Sequence, residues 1–201
     1  MNRLLGAYGA TLVLCLVPAP AQVIEFENNG LKYQTLTKSG VTVMFAQLPM
    51  RVHEYSIVQV AISNGSAGPY AIRPEDFSYI RPDGVVLRAA PARSVVGMLA
   101  QKGSGSDVIK LITQYEAGIF GAHMKSTNGY EQRRQAALAM SGTKLKAAAA
   151  ASALAMVQVK LAPGESTDGA VFFDTGQGKP LGPGKLIVRT NTDVFEFNAT
   201  E

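Results

Sequence analysis

The chain has 201 residues, enough for one sizeable core and short for two comfortable domains. It holds one cysteine, Cys15, and no tryptophan, so disulfides, thiol chemistry and a common sugar-stacking platform are excluded from the body of the protein. The formal charge of +4 is modest but unevenly placed. Eight Lys/Arg stand against three acids between Pro91 and Met156, while the rest of the chain after residue 21 is slightly acidic.

The N-terminus predicts an export signal. Asn2-Arg3 gives a positive start, residues 4–17 are apolar, and Ala19-Pro20-Ala21 is an A-x-A cleavage pattern with a mature start at Gln22. The apolar run is shorter than the about 20 residues a spanning helix needs. Lipoprotein anchoring through Cys15 is disfavoured, because Leu14 precedes it and the apolar run continues past it. The expected location is therefore periplasmic or extracellular, without a transmembrane span.

Strands follow at residues 23–27, 31–37 and 41–47, separated by Asn28-Asn29-Gly30 and Lys38-Ser39-Gly40. Pro49 is expected to close the last of these, because it cannot donate to a ladder. Residues 53–63 form a long strand opened by His53. In it Val58, Val60 and Ile62 share one face and Gln59, Ala61 and Ser63 the other, the pattern of a strand packed by one face. A short strand at 70–72 precedes a hairpin of 77–81 and 84–88, turned by Pro82-Asp83-Gly84, with Gly84 suited to a left-handed bulge.

At Pro91 the spacing becomes helical. Residues 92–101 predict a helix interrupted by Gly97, and 102–105 a mobile linker. Ser106-Asp107 is expected to cap a helix with Val108, Leu111, Ile112, Tyr115 and Ile119 on one face, loosened and ended by Gly118 and Gly121. Asn128 with Glu131 resembles a capping box for a helix to about Met140, and residues 144–155 are an alanine-rich helix. Period two returns at 156–161, 169–174, 185–190 and 194–198. Strands on both sides of one helical block predict a mainly β antiparallel sandwich, one domain over 22–201, with a helical insertion at 91–156.

Two segments carry a family likeness. Asn64, Pro74, Asp76, Phe77, Asp83 and Gly84 in the first, and Pro163, Gly164, Glu165, Gly169 and Phe172 in the second, resemble the telokin-like, immunoglobulin-like domains of exported bacterial proteins of largely unknown function. The resemblance covers about half the mature chain and implies an immunoglobulin-like sandwich. It says almost nothing of chemistry, since each residue has a turn or core role, and the block at 91–156 departs from the simple domain.

No catalytic or metal-binding spacing is visible. The two histidines, His53 and His123, lack a neighbouring H-E-x-x-H or acidic cluster, and Asn64-Gly65-Ser66-Ala67-Gly68 is not a nucleophile elbow. Glu75-Asp76 reads as a turn, and Glu25, Glu27 and Glu196 fall in alternating strands. Asn64-Gly65-Ser66 and Asn198-Ala199-Thr200 match a glycosylation sequon, a pattern short enough to arise by chance. No cofactor is implied.

The remaining candidates lie in the insertion. Lys125, Tyr130, Arg133, Arg134, Lys144 and Lys146 are placed to meet an anionic cell-envelope component or an acidic protein. Nucleic acid is a poor partner for an exported chain without a recognised motif. The expected function is an exported, non-enzymatic binding module contacting its partner through this block. The alternatives are an envelope hydrolase or small-ligand carrier with a pocket between sandwich and helices, and a homo-oligomer joined through an exposed edge strand.

Overall fold

The computed structural model describes residues 22–122, 128–176 and 180–199; the segment expected to direct export, with Cys15, and also His123 and Lys125, lie outside them. Over the described residues the protein is mainly β, with antiparallel sheets and four α-helices. Four strands lead: β1 (Ile24–Asn28), β2 (Leu31–Lys38), β3 (Val41–Val52) and β4 (Tyr55–Asn64). The short β5 (Tyr70–Ile72), β6 (Phe77–Ile80) and β7 (Val86–Arg88) follow. Then come α1 (Ala92–Lys102), α2 (Gly105–Ala122), α3 (Tyr130–Leu138) and α4 (Thr143–Leu154). The chain ends on β8 (Val159–Leu161), β9 (Ser166–Asp174), β10 (Gly184–Arg189) and β11 (Val194–Ala199).

Early and late strands interleave. One sheet has the order β1-β2-β3-β4-β9, the other β11-β10-β6-β7, and β5 pairs with β8 as a separate ribbon. Val43, Phe45, Val58, Val60 and Ile62 of the first sheet meet Phe77, Tyr79, Leu186, Val188, Phe195 and Phe197 of the second in one apolar layer. Phe45 and Phe197 cross edge-on at 5.1 Å, an arrangement the ring quadrupoles favour. The predicted 77–88 hairpin forms as expected, with Gly84 at φ +80° and its N–H on the Arg81 carbonyl.

The helices cover the opposite face of the five-stranded sheet. Tyr33, Ala46, Leu48, Ile57 and Phe172 pack there against Val95, Leu99, Leu111, Tyr115, Ala147, Ala151 and Leu154. Strand β4 is therefore buried on both faces, not one: Gln59 is 0% and Ala61 1% exposed. The period of two was visible in residue type but the second face is covered, because the helical block is a third layer. Its two ends are stitched to the outer edge of β9. Ala90 N–H donates to Phe172 O and Met156 N–H to Ala170 O, so the segments before α1 and after α4 take the ladder positions that edge would otherwise leave open.

Several local expectations change for steric reasons. Pro49 does not end β3; the strand runs on to Val52 with its register broken between Gln47 and Arg51, a bulge that tolerates a residue without an N–H. His53 does not open β4 but sits in the β3–β4 turn at φ +53°. Residues 102–105 are no loose linker: a Cβ on Gly103 would lie 2.4 Å from Leu99 O and 2.8 Å from Ala147 Cβ, so α1 and α4 pass too closely there for a side chain. Asn64 is fully buried, its amide donating to Gly68 O and Leu161 O and its oxygen accepting from Ser66, which leaves no room for a glycan in the folded chain.

Gly118 does not interrupt α2, which runs through it and Gly121 to Ala122, close to the expected end. They let it lie down on the sheet. Gly118 sits over Gln59 and Leu48, and its carbonyl accepts from the Tyr33 hydroxyl at 2.9 Å. A Cβ on Gly121 would fall 2.0 Å from that same hydroxyl. Gly121→Ala should therefore destabilise the protein by about 1–3 kcal/mol through overpacking. Gly97→Ala, with open space around its would-be Cβ in α1, should stabilise it by about 0.5–1 kcal/mol. Urea unfolding of the two variants beside the parent checks both signs.

Candidate functional site

A cavity of about 600 Å³ opens at one end of the paired sheets, bounded by β1, the start of β2, the far end of β3, residues 180–182 and Ala199. It exists because the strands differ in length. β2 pairs with β3 from Tyr33↔Ala46 to Lys38↔Val41, whereas β3 runs on to Val52 alongside β4 alone. Phe45 and Leu181 give the cavity apolar wall, and Glu25, Glu27 and Lys32 stand among its lining charges.

Two polar groups in this lining are incompletely used. Gln34, 6% exposed, donates through Nε2 to Asn198 O at 2.6 Å and to the Glu25 carboxylate, but its Oε1 is buried without a partner. Arg51 donates through Nη2 to Gly176 O at 2.9 Å and to His53 O at 3.2 Å, while its Nε is buried without an acceptor. Ser56, also in the lining, lies 3.2 Å from Thr175 through their hydroxyls. An orphaned buried acceptor and donor each carry a desolvation cost of about 1–3 kcal/mol, which a bound group of matching polarity would relieve.

His53 meets an acid elsewhere, on the helical side. Its Nε2 lies 3.3 Å from Asp107 Oδ2, and the same carboxylate oxygen accepts from the Ser104 N–H at 2.8 Å and hydroxyl at 2.7 Å. Ser104, in turn, accepts from Asp107 N–H at 3.3 Å. Ser104, not Ser106, is thus the cap of α2, and the pair is a reciprocal capping box with Asp107 at N3. The aspartate sits between serine and histidine, so the imidazole is not positioned to activate the hydroxyl. Neither His53 nor Asp107 lines the cavity. Their geometry fastens the β3–β4 turn to the start of α2.

The six residues singled out in the helical block are used unevenly. Arg133 is turned inward, its Nε donating to Ala153 O at 3.0 Å and its Nη1 to Asn128 O. Arg134 pairs with Glu116 and, at 3.2 Å, with Glu131. Glu131 also accepts from Gln135 instead of closing a capping box; Asn128 Oδ1 holds the Tyr130 N–H on its own. Tyr130 crosses Tyr115 edge-on at 5.1 Å, and burial, with Glu116 alongside, raises its hydroxyl pKa far above the ordinary value. Lys144 is exposed and Lys146 half-buried at the start of α4; Lys125 lies outside the described residues. Phe120, Leu138 and Leu145 of the helical block are exposed as well, so its exposed residues are mixed in character.

Among the described residues no group of three or more His, Cys, Asp or Glu could hold a metal ion, and no helix is long and apolar enough to cross a membrane. Sequence reading missed the cavity because it depends on a difference in strand length across a bulge, and Gln34 and Arg51 carry no motif. Compared with family models, curated proteins and solved structures, the chain matches none.

Burial alone would raise the Asp107 carboxyl, but the hydrogen bonds from Ser104, together with His53, outweigh it and leave its pKa below the ordinary value. That stabilisation is complete above the unfolded-state pKa of about 3.9 and is lost as pH falls through the lower folded-state value. Asp107→Asn should cost about 1–2 kcal/mol near neutral pH, and the gap from the parent should shrink as pH drops below about 4. Chemical unfolding at several pH values between neutrality and acid measures it.

Proposed function

We propose that this chain is an exported, non-enzymatic binding module of immunoglobulin-like build whose ligand site is the cavity at the open end between its two sheets. The observation that carries this reading is that two residues lining the cavity, Gln34 and Arg51, each keep a buried polar atom without a partner, Oε1 and Nε. Ligand sites combine apolar lining with a few convergent polar groups, in volumes of about 300–1,000 Å³, and this cavity fits both descriptions.

The reading keeps the binding role expected from the sequence and moves the contact surface. Arg133 and Arg134 spend their donors on backbone carbonyls and carboxylates of their own layer. Exchanging those partners for an external anion would cost the internal pairs, so the helical layer serves better as scaffold than as contact surface. The alternative drawn from the sequence is a pocket between sandwich and helices; much of that interface is filled by packed side chains, and the recess there, about 400 Å³ between Ile119, Tyr130 and Asp168, is smaller than the cavity at the open end. The immunoglobulin-like description rests on two face-packed antiparallel sheets and on the turns that resemble that family.

Filling the cavity tests the proposal. Gln47 is half-buried in its lining, and Gln47→Trp should occupy the space without touching the inter-layer packing on the helical side. Native mass spectrometry of the gently purified parent is expected to show a bound species that Gln47→Trp loses, with affinity reduced at least tenfold when the species is added back. An identical mass and affinity in both proteins would place the ligand elsewhere and end the reading.

A further inference from the structure

Resting on the cavity being the binding site, we infer that its ligand is an extended polypeptide segment, added as a short strand along the unpaired side of β3. Five consecutive residues of β3, Gln47 to Arg51, border the cavity. Successive side chains of a strand point to opposite faces, so a cavity touched by five in a row runs along the strand's edge and not across one face. That edge has no strand beside it among the described residues. β2 stops pairing at Tyr33↔Ala46, and β4 lies on the other side, with Gln47↔Val58 and Arg51↔Ser56 in register. The opening lies where a continuation of β2 would run.

The two unmet side-chain groups fit the same occupant. Gln34 Oε1 needs a donor and Arg51 Nε needs an acceptor. A peptide backbone supplies both, one N–H and one C=O per residue, and in an extended conformation it presents them towards a neighbouring strand at every second residue. The charge of the lining balances, with Glu25 and Glu27 against Lys32 and Arg51. Such a site selects neither a phosphate nor a polyamine, and it accommodates an uncharged backbone. Strand addition of this kind draws its affinity from main-chain hydrogen bonds and its selectivity from alternate side chains, here against the apolar Phe45 and Leu181. The occupant is a segment of a different protein; a second copy of this chain is an outcome the test separates.

The full chain would be incubated with a mixed-sequence pool of acetylated, amidated hexapeptides, with octanoate as a second probe, and retained species identified by native mass spectrometry. A retained peptide is expected to slow hydrogen exchange at the Arg51 amide, because alternate residues of β3 turn their N–H groups to the outer edge and Pro49, two residues earlier, has none. N-methylating alternate amides of that peptide should weaken binding at least tenfold in one of the two alternations and little in the other. Gln34→Met should weaken it comparably, and because the N-methyl series changes only the ligand it decides the matter should that variant fold poorly. Equal binding of both N-methyl series, or exchange protection elsewhere, overturns strand addition. Octanoate binding in the absence of any peptide overturns the polypeptide class while leaving the cavity as a binding site, and no binding by either probe removes both. A stable dimer by light scattering, with the same amide protected and no displacement by peptide, makes the second copy the occupant and overturns the heterologous partner.

Discussion

Everything in this molecule depends on burying both faces of the five-stranded sheet. Val58, Val60 and Ile62 of β4 face the second sheet, and Gln59 and Ala61 of the same strand face the helices. A sheet in that position must have a cover on each side that approaches to about 10 Å. The second sheet does this with large aromatics, the helices with small residues. Gly118 and Gly121 bring α2 close to the strands, the alanines of α4 let the other helices close around it, and the Tyr33 hydroxyl bonds to an α2 carbonyl across the gap. The helical block is thus a layer of the fold in its own right, although it lies in sequence between β7 and β8.

That arrangement explains which features were legible in the sequence. Strand positions were, because alternation of residue type and turn residues such as Asn29-Gly30 and Asp83-Gly84 act locally. The placement of α1, α2 and α4 was, from their spacing and propensity. What escaped was every feature set by contact between distant segments. Ala61 reads as a small residue on a wet face until a helix is known to cover it, and Gly121 reads as a breaker until Tyr33 is known to lie beneath it. Asp107 was recognised at a helix start, but the turn holding His53 is far away in sequence. Arg133 and Arg134 read as an exposed basic pair, yet their partners Ala153 and Glu116 come from other helices.

The candidate site follows the same rule. Gln34 and Arg51 are ordinary strand residues, and neither signals a site by type or spacing. They matter because β2 is shorter than β3, and because Pro49 lets β3 run past a bulge towards the loop after β9. A buried glutamine whose donor side is fully engaged and whose acceptor is idle is a positional fact, visible only in three dimensions.

The pinning of residues 89–90 and 155–156 along β9 has a practical consequence for dissecting this protein. Excising the helices to leave a minimal pair of sheets would not yield a smaller version of the same domain. It would strip one broad apolar surface and bare a strand border, turning a closed particle into a sticky half-product prone to self-association. Engineers wanting a trimmed scaffold would do better to shorten the outlying α3 and retain α1, α2 and α4 as the lid that keeps the sheet dry.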